Sequence, residues 1–258
     1  MNILVLVKQV PNTTEMMIDK ENGTLIRAGV ESIANPDDLT GVELALELKE
    51  KTNGHVRVIT MGPTQAEDML RGLYGMGVDD AVLLTDKRFA GSDTWATSNI
   101  LSAAIKRYPY DLIIAGRQAI DGDTAQVGPQ VAEALGLPQV TYVHDVTHYE
   151  TSSLTVIKSL EEEKLTLRLP LPGLITVLSE AREPRYLNVK DVMTAHQKPL
   201  ETLTFDDLDL SLDAVGLKAS PTRVKRTYTK EIVQKSPVQT LSPEDAATLI
   251  LKHVVGHH

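Results

Sequence analysis

Four apolar runs, each long enough for a buried strand, recur at wide intervals along the first half of the chain. They are NILVLV (2–7), HVRVIT (55–60), AVLLT (81–85) and DLIIAG (111–116). Continuous apolar character is typical of strands that are buried on both faces of a sheet. Because stretches of helical length separate the runs, the pattern predicts an α/β fold with a doubly wound, mostly parallel sheet over residues 1 to about 145.

The stretches between the runs carry helix start and stop signals. Asn35 is the expected N-cap of the first helix, Pro36 fits its first position, and Asp37 and Asp38 oppose the positive end of the helix dipole. A later helix is predicted to end at Gly136. Another starts at Ser92-Asp93, and its predicted inner face comprises Trp95, Ile100 or Leu101, Ala104, Ile105 and Tyr108.

The second half of the chain has a different texture. Residues 154–178 predict two or three antiparallel strands, and 16–27 predict a hairpin around Asn22-Gly23. Residues 199–241 are rich in acids and prolines, which favours an extended arm wrapped over another chain. A final helix is predicted with Ser242 as its cap.

Composition narrows the classes of function. The chain has no cysteine, which excludes disulfides, thiol catalysis and cysteine-ligated iron–sulfur clusters. Its net charge of −9 disfavours nucleic acid and anionic membranes as partners. No apolar run approaches the roughly 20 residues of a membrane-spanning helix, so we expect no membrane insertion. The start resembles a first strand more than a signal peptide, and a cytoplasmic location is the simplest expectation.

The segment RQAIDGDTAQVGPQ (117–130) is the main candidate for a binding site. It follows a strand and precedes a helix, which is where open α/β sheets bind ligands. A helix N-terminus offers free N–H groups to a phosphate or pyrophosphate. The residues expected to present these groups are Thr124, which also offers a hydroxyl, Ala125, Gln126, Val127 and Gly128.

Glycines and acids complete this loop. Gly122 and Gly128 would permit close backbone approach, and Asp121 and Asp123 would order the turn or bind ribose hydroxyls. The alternative is a capped loop without a ligand, in which Asp123 or Thr124 is the N-cap.

Other strand ends are expected to share this edge of the sheet. VKQVP (7–11), Asn35 to Asp38, and TMGP (60–63) each follow or neighbour a predicted strand end. Together with the 117–130 loop they favour a nucleotide crevice, in which Gly62 and Gly116 allow close backbone approach. The chain lacks a P-loop and a strand–GxGxxG–helix fingerprint, its histidines lack metal-ligand spacing, and no residue is predicted as a catalytic acid or base.

These motifs resemble a known family. VKQVP, NPDD followed by VELALELKE, TMGP, DLIIAGRQAIDGDTAQVGPQVAEALGLPQVTYV and EPRY occur in the order found in beta subunits of electron transfer flavoproteins. The resemblance spans nearly the whole chain, and its most specific part is 110–143. It implies a heterodimer with a larger alpha subunit that carries FAD.

Two branches of the family are distinguished by the ligand of the beta subunit. Plain electron carriers hold a structural AMP there and resemble GKQAIDDDxNQTGQ and NPFCE. The bifurcating branch holds FAD, which takes hydride from NADH; one electron then goes to ferredoxin or flavodoxin, and the other goes through the alpha-subunit FAD to an acyl-CoA-type dehydrogenase. The departures DGDTAQVGPQ, Asp37-Asp38 and AGSDTWATS (90–98) resemble the bifurcating branch.

The resemblance also implies the site and the domains. The FAD or AMP site would comprise Leu6, Val7, Lys8, Asn35, Asp38, Met61, Gly62 and the loop residues Gly116, Arg117, Gln118, Asp121, Gly122, Asp123, Thr124, Ala125, Gln126, Val127, Gly128 and Gln130.

The expected domains are a nucleotide-binding domain over 1–180, a partner-docking loop over 181–198 with Val189 near its apolar anchor, and an arm with a final helix over 199–258 on the alpha subunit. Arg117 is the candidate to lie beside the flavin ring. The alternative is that Arg117 pairs with Asp121 or Asp123 and only shapes the loop. A non-redox, nucleotide-binding regulatory domain is the third hypothesis.

Overall fold

The apolar runs of the sequence form neighbouring strands of one sheet. The computed structural model describes residues 1–12, 17–18, 25–26, 31–222 and 240–255. They belong to two units, one within Met1–Lys225 and the other within Arg226–His258. No helix among these described residues is long and apolar enough to cross a membrane.

The helices and strands follow the predicted alternation in the first half of the chain. The strands are β1 (Asn2–Leu6), β2 (Gln9–Pro11), β3 (Met17–Ile18), β4 (Leu25–Ile26), β5 (Ser32–Ala34), β6 (His55–Met61), β7 (Asp80–Leu84), β8 (Leu112–Gly116), β9 (Gln139–Tyr149), β10 (Ser153–Ser159), β11 (Lys164–Pro170), β12 (Gly173–Val177) and β13 (Leu200–Leu203). The helices are α1 (Pro36–Thr52), α2 (Ala66–Tyr74), α3 (Thr94–Ile105), α4 (Val127–Leu135), α5 (Val189–Thr194), α6 (Gly216–Ala219) and α7 (Pro243–Val255).

The main sheet has the order β11-β10-β9-β12-β8-β1-β6-β7-β13. Strands β9, β12, β8, β1, β6, β7 and β13 pair in parallel, and β10 and β11 add an antiparallel extension. The chain builds one half of the sheet outward from β1 through β6 and β7. It then returns to the other side of β1 with β8, which is the doubly wound topology that the sequence predicts.

Alternating side chains of each central strand face two hydrophobic cores. Ile3 and Val5 of β1 belong to a core with α1 and α2, whereas Leu4 and Leu6 belong to a core with α3 and α4. Since both faces are covered, the strand must be apolar at every position, which explains the continuous run.

The antiparallel prediction for 154–178 is correct for β10 and β11 but wrong for β12. All five residues of β12 are buried, and the strand lies between β8 and β9, parallel to both. The sequence GLITV is another continuous apolar run, typical of a central parallel strand.

The extended arm predicted from residue 199 does not begin there. Strand β13 pairs with β7 at the edge of the main sheet. Leu208 and Val215, further along the same stretch, are buried in the core that contains α3. The apolar residues of this stretch therefore belong to the α/β domain, at least as far as Ser220, which is also buried.

Two smaller predictions concern the ends of the chain. Strands β3 and β4 pair antiparallel, as the hairpin predicts, but its Asn22-Gly23 turn lies outside the described residues. Residues 223–239 of the predicted arm also lie outside them. In the second unit, the N–H of Asp245 donates to Ser242 Oγ at 3.2 Å, which confirms the predicted cap of α7.

Candidate functional site

A topological switch point lies where the connections of β1 and β8 leave in opposite directions, and the space between these two connections is hereafter called the crevice. The two strands are neighbours, and their ladder ends at Leu6 and Ala115. Beyond these residues β1 leads through α1 toward β6, and β8 leads through α4 toward β9. Open α/β sheets bind ligands at such a switch point, so the fold places the 117–130 loop where the sequence predicts a site.

A buried carboxylate joins the two strand ends at this point. Asp38 Oδ2 accepts a hydrogen bond from the N–H of Lys8 at 2.8 Å, and Asp38 Oδ1 accepts one from the N–H of Gly116 at 3.0 Å. Burial raises the pKa of Asp38 to about 7, although these N–H groups oppose that change. The first turn of α1 therefore links the two strand ends that border the crevice.

Gly116 is required by this close packing. A Cβ atom at Gly116 would lie 2.2 Å from Asp38 Oδ1 and 2.9 Å from the carbonyl carbon of Asp37. The predicted close approach at Gly116 therefore involves α1 in this structure. At Gly128 a Cβ atom would lie 2.6 Å from Thr176 Cγ2, so that glycine lets α4 pack against β12.

Asn35 occupies the predicted N-cap position of α1, but its side chain makes no capping bond. Its Nδ2 donates to Gln118 O at 2.8 Å, and its Oδ1 accepts from the N–H of Ile120 at 3.1 Å. The fully buried amide thus fixes the start of the loop after β8, and the capping role predicted for its side chain is wrong.

The ion pairs of the loop differ from those considered in the sequence. Arg117 Nε lies 3.5 Å from Asp37 Oδ2 and makes no hydrogen bond within the described residues, although it is buried. Asp121 instead accepts two bonds from Lys8 Nζ, at 2.6 and 2.8 Å. Asp123 accepts from Gln118 Nε2 at 2.8 Å. Pairing of Arg117 with Asp121 or Asp123 is therefore wrong.

These pairs decide the electrostatics of the crevice. Lys8 Nζ is neutralised by Asp121, and Arg117 lies beside Asp37. Burial raises the pKa of Asp37, and the charge of Arg117 opposes this change. An anionic ligand here would depend chiefly on backbone N–H groups for its contacts.

The backbone of the loop is shaped for such contacts. The N–H groups of Gly122 and Asp123 donate to Ala119 O at 3.1 and 2.9 Å, which closes a turn. Asp123 and Ala125 then adopt left-handed conformations, with φ of 49° and 52°. Residues of alternating handedness can aim successive N–H groups into one concavity that favours anions.

Helix α4 begins at Val127, so the alternative in which Asp123 or Thr124 caps it can be tested. Gln126 is the N-cap, so neither Asp123 nor Thr124 is the cap that this alternative requires, and Thr124 and Gln126 are exposed in the loop. The first N–H groups of a helix, here those of Val127 and Gly128, have no partner inside it. These two N–H groups are therefore the ones that could contact a ligand at the start of α4, which stays a prediction.

Helix α3 is attached to the same loop. Thr94 Oγ1 donates to Gln126 Oε1 at 2.9 Å, and Ser98 Oγ donates to Gln130 Oε1 at 3.0 Å. The segment AGSDTWATS and the 117–130 loop, which both depart from the plain-carrier pattern, are thus in direct contact.

The remaining predicted residues contribute less directly. The side chains of Leu6 and Val7 are buried in the two cores, so only their backbone faces the edge. Met61 ends β6, and the N–H of Gly62 donates to Leu84 O at 3.0 Å. A Cβ atom at Gly122 would meet nothing within 4 Å, so this glycine borders open space.

Two aromatic residues near the site were not predicted. The sequence predicts Trp95 on the inner face of α3, but Trp95 is 52% exposed, and it follows Thr94, which bonds to Gln126. The sequence signal for this exposure is its position in the first turn of α3, just after the N-cap Asp93. Tyr142 has φ of 59° and donates its N–H to Thr176 Oγ1, and nothing in its strand-like surroundings indicated that conformation.

Comparison with known proteins gives a consistent assignment. The family described as "Electron transfer flavoprotein domain" matches residues 22–208. "Electron transfer flavoprotein subunit beta" of Clostridium acetobutylicum is 46% identical over 258 residues, covering 100% of this chain and 99% of the relative.

Two further relatives are named after larger assemblies. "Caffeyl-CoA reductase-Etf complex subunit CarD" of Acetobacterium woodii is 44% identical, covering 99% of this chain and 100% of the relative. "Acryloyl-CoA reductase electron transfer subunit gamma" of Anaerotignum propionicum is 44% identical, covering 89% of this chain and 88% of the relative. With the doubly wound fold and its switch-point crevice, these matches show that the chain belongs to the electron transfer flavoprotein family, among its beta subunits.

Proposed function

We propose that this beta subunit binds FAD in the crevice between the loops after β1 and β8. With FAD bound there, the complex would oxidise NADH by hydride transfer, and one of the two electrons would go to ferredoxin or flavodoxin. The other electron would pass through the FAD of an alpha subunit to an acyl-CoA-type dehydrogenase, in the cytoplasm. The observation that carries the proposal is the left-handed loop at Asp123 and Ala125, which leads into the N-terminus of α4 at the switch point.

The residues present fit a dinucleotide in four respects. Backbone N–H groups at Val127 and Gly128 suit a pyrophosphate, the Thr124 hydroxyl is exposed, and Gly122 borders open space. Arg117 has a buried Nε without a hydrogen bond in the described residues, and a ligand acceptor would satisfy it.

The chain's own residues bind and orient in this proposal, and bound FAD supplies the hydride and electron chemistry. Asn35 holds the loop at Gln118 and Ile120, and Lys8 ties Asp121 to the opposite loop. Arg117 would hold positive charge at the start of the loop, partly offset by Asp37 beside it.

Two sequence features support the bifurcating branch over the plain carriers. The segments 90–98 and 117–130 both depart from the plain-carrier pattern, and α3 and α4 bring them into contact. The names of the relatives from Acetobacterium and Anaerotignum support a reductase that acts on a CoA thioester as partner.

The test is the nucleotide content of the heterodimer after co-expression with its alpha subunit. The expected result is FAD in both subunits, no AMP, and bleaching of the beta-subunit flavin by NADH under anaerobic conditions. AMP in the beta subunit, with FAD confined to the alpha subunit, would overturn the bifurcating assignment and leave a plain carrier.

A further inference from the structure

The carboxylate of Asp38 spans the two strand ends that border the crevice. One oxygen accepts from the N–H of Lys8 at 2.8 Å, and the other accepts from the N–H of Gly116 at 3.0 Å. Both oxygens are therefore engaged by the protein, and the residue is only 7% exposed. The carboxylate is therefore occupied by the backbone of the two strand ends and has little surface left for a ligand.

A bridge is needed here because the strands separate. The ladder between β1 and β8 ends at Leu6 and Ala115, and the two connections then diverge. Asp38 continues the link beyond the last strand pair. Its neighbours in the fold complete the support, since Asn35 fixes the loop after β8 and Asp37 lies beside Arg117.

We infer that Asp38 is a positioning residue that fixes the distance between the two nucleotide-binding loops without touching the nucleotide. The inference rests on the proposed function, because it assigns a role toward the nucleotide of that site. It predicts that the carboxylate is needed for tight and correctly oriented binding of FAD or AMP beyond its contribution to folding.

Asp38→Asn is the sharpest variant because it keeps the shape of the side chain. An amide has one acceptor oxygen, and its NH₂ group only donates. One of the two N–H groups, at Lys8 or at Gly116, would therefore face a donor instead of an acceptor. The two loops would lose one of their fixed distances while the core around α1 stays filled.

The same two strands offer a matched control at their opposite ends. Asp111, just before β8, accepts a hydrogen bond from the N–H of Asn2 at 2.7 Å. Asp111→Asn thus weakens a carboxylate link between β1 and β8 at the edge away from the crevice. Comparing the two variants separates a general loss of stability from an effect on the loops.

The experiment uses the heterodimer with its alpha subunit, freed of nucleotide and titrated calorimetrically with FAD and, separately, with AMP. We expect Asp38→Asn to raise the Kd of the nucleotide that the wild type retains by up to about a hundredfold, the scale of a small misplacement of binding groups. We also expect it to change the visible circular dichroism of bound flavin. Asp111→Asn should lower the melting temperature but leave both binding signals as in the wild type.

Each outcome decides between the alternatives. Equal Kd values for wild type and Asp38→Asn, or equal losses for Asp38→Asn and Asp111→Asn, would overturn the inference alone. If Asp38→Asn does not assemble, Asp38→Ser keeps a smaller acceptor for the same titration. Failure of both Asp38 variants beside an intact Asp111→Asn would also overturn it, in favour of a purely structural role. Binding of neither nucleotide by the wild type would overturn the proposed function and the inference with it.

Discussion

Carboxylates have different roles at the two ends of the parallel strands. The end where these strands begin is called the amino edge, and the end where they stop is called the carboxyl edge. At the amino edge, Asp79 accepts from the N–H of Val56 and pairs with Lys49 Nζ at 2.6 Å. At the carboxyl edge, the more deeply buried Asp38 is held by backbone N–H groups, and burial raises its pKa to about 7. Ionising a buried acid has a cost in free energy, so the carboxyl edge is fixed at the expense of stability.

This difference indicates which edge is specialised. At the amino edge, where the parallel strands begin, the ion pairs are partly exposed to solvent, such as the pair of Arg57 with Asp80. The carboxyl edge combines buried acids, left-handed residues at 123 and 125, and a glycine packed against a carboxylate. Buried acids beside a loop with left-handed non-glycine residues are typical of a functional site.

The largest expected effect is a clash at the carboxyl edge. Gly116→Ala places Cβ 2.2 Å from Asp38 Oδ1 and against the backbone of Asp37. Overpacking of this kind costs about 1–3 kcal/mol, and we expect the upper end together with loss of FAD or AMP. Thermal unfolding and nucleotide content measure the two effects.

The amino edge supplies the counterpart. Gly54→Ala places Cβ 2.4 Å from Met1 O, so it should also lower stability, but it should leave nucleotide content unchanged. If both variants lost nucleotide in proportion to the decrease in their melting temperatures, the two edges would not differ in their effect on nucleotide binding.

The second effect is on the pH dependence of stability. Asp38 has an ordinary pKa of 3.8 and a folded pKa of about 7, so the folded chain binds this proton more tightly than the unfolded chain does. The stability that this tighter proton binding contributes is fully present at pH values below the ordinary pKa, and it is lost as the pH rises through the folded pKa. Wild type should therefore lose stability relative to Asp38→Asn over this window, by up to about 1.4 kcal/mol per pH unit.

Melting curves of wild type and Asp38→Asn across this window provide the measurement. The charge that acts on Asp38 is that of Asp37 in the same helix turn, and the N–H groups of Lys8 and Gly116 donate to its carboxylate; the charged groups of Lys8 and Arg117 pair with Asp121 and Asp37 instead. Asp111→Asn is the control at the amino edge. Parallel curves for wild type and Asp38→Asn would mean that Asp38 does not titrate in this range.

A smaller effect is expected from the ion pair that crosses the crevice. Lys8 Nζ and Asp121 are partly exposed, so Lys8→Met should cost less than about 1 kcal/mol. Asp121→Asn frees the Lys8 charge and should strengthen AMP binding at low salt, with the gain disappearing as salt is added. Calorimetric titration with AMP at low and high salt tests this, and an affinity gain independent of salt would contradict it.

The smallest expected effect is a change in tryptophan fluorescence when the nucleotide binds. Trp95 is the only tryptophan, and it lies beside the bond between Thr94 and Gln126. Because it is exposed near the crevice, its fluorescence should change when FAD or AMP is added to the nucleotide-free heterodimer. Trp95→Phe removes this chain's contribution and serves as the control. An unchanged emission upon saturation would place the nucleotide away from α3.

Much of this organisation could be predicted from the sequence. Continuous apolar runs identified the buried strands, and the order of those runs with the helices predicted the doubly wound sheet and the place of its switch point. Both inferences depend on local patterns that the fold leaves little freedom to change. The family resemblance then agreed with the comparisons over nearly the full chain.

The errors come from contacts that join distant parts of the chain. Asn35 is a residue type that commonly caps helices, but its side-chain amide instead forms hydrogen bonds with the loop after β8, more than 80 residues away. Arg117 pairs with α1 instead of its nearest acids. Strand β13 could not be recognised from four residues, because its partner β7 lies more than 100 residues earlier.

The position of β13 has a consequence for synthesis of the chain. Leu200–Leu203 covers the edge of β7, which is made well over 100 residues earlier. Until those residues leave the ribosome, β7 presents unpaired N–H and C=O groups beside an apolar surface, a template for association with other chains. The nascent chain therefore passes through a stage in which nearly the whole sheet exists but one side is open, and chaperone binding should concentrate in that interval.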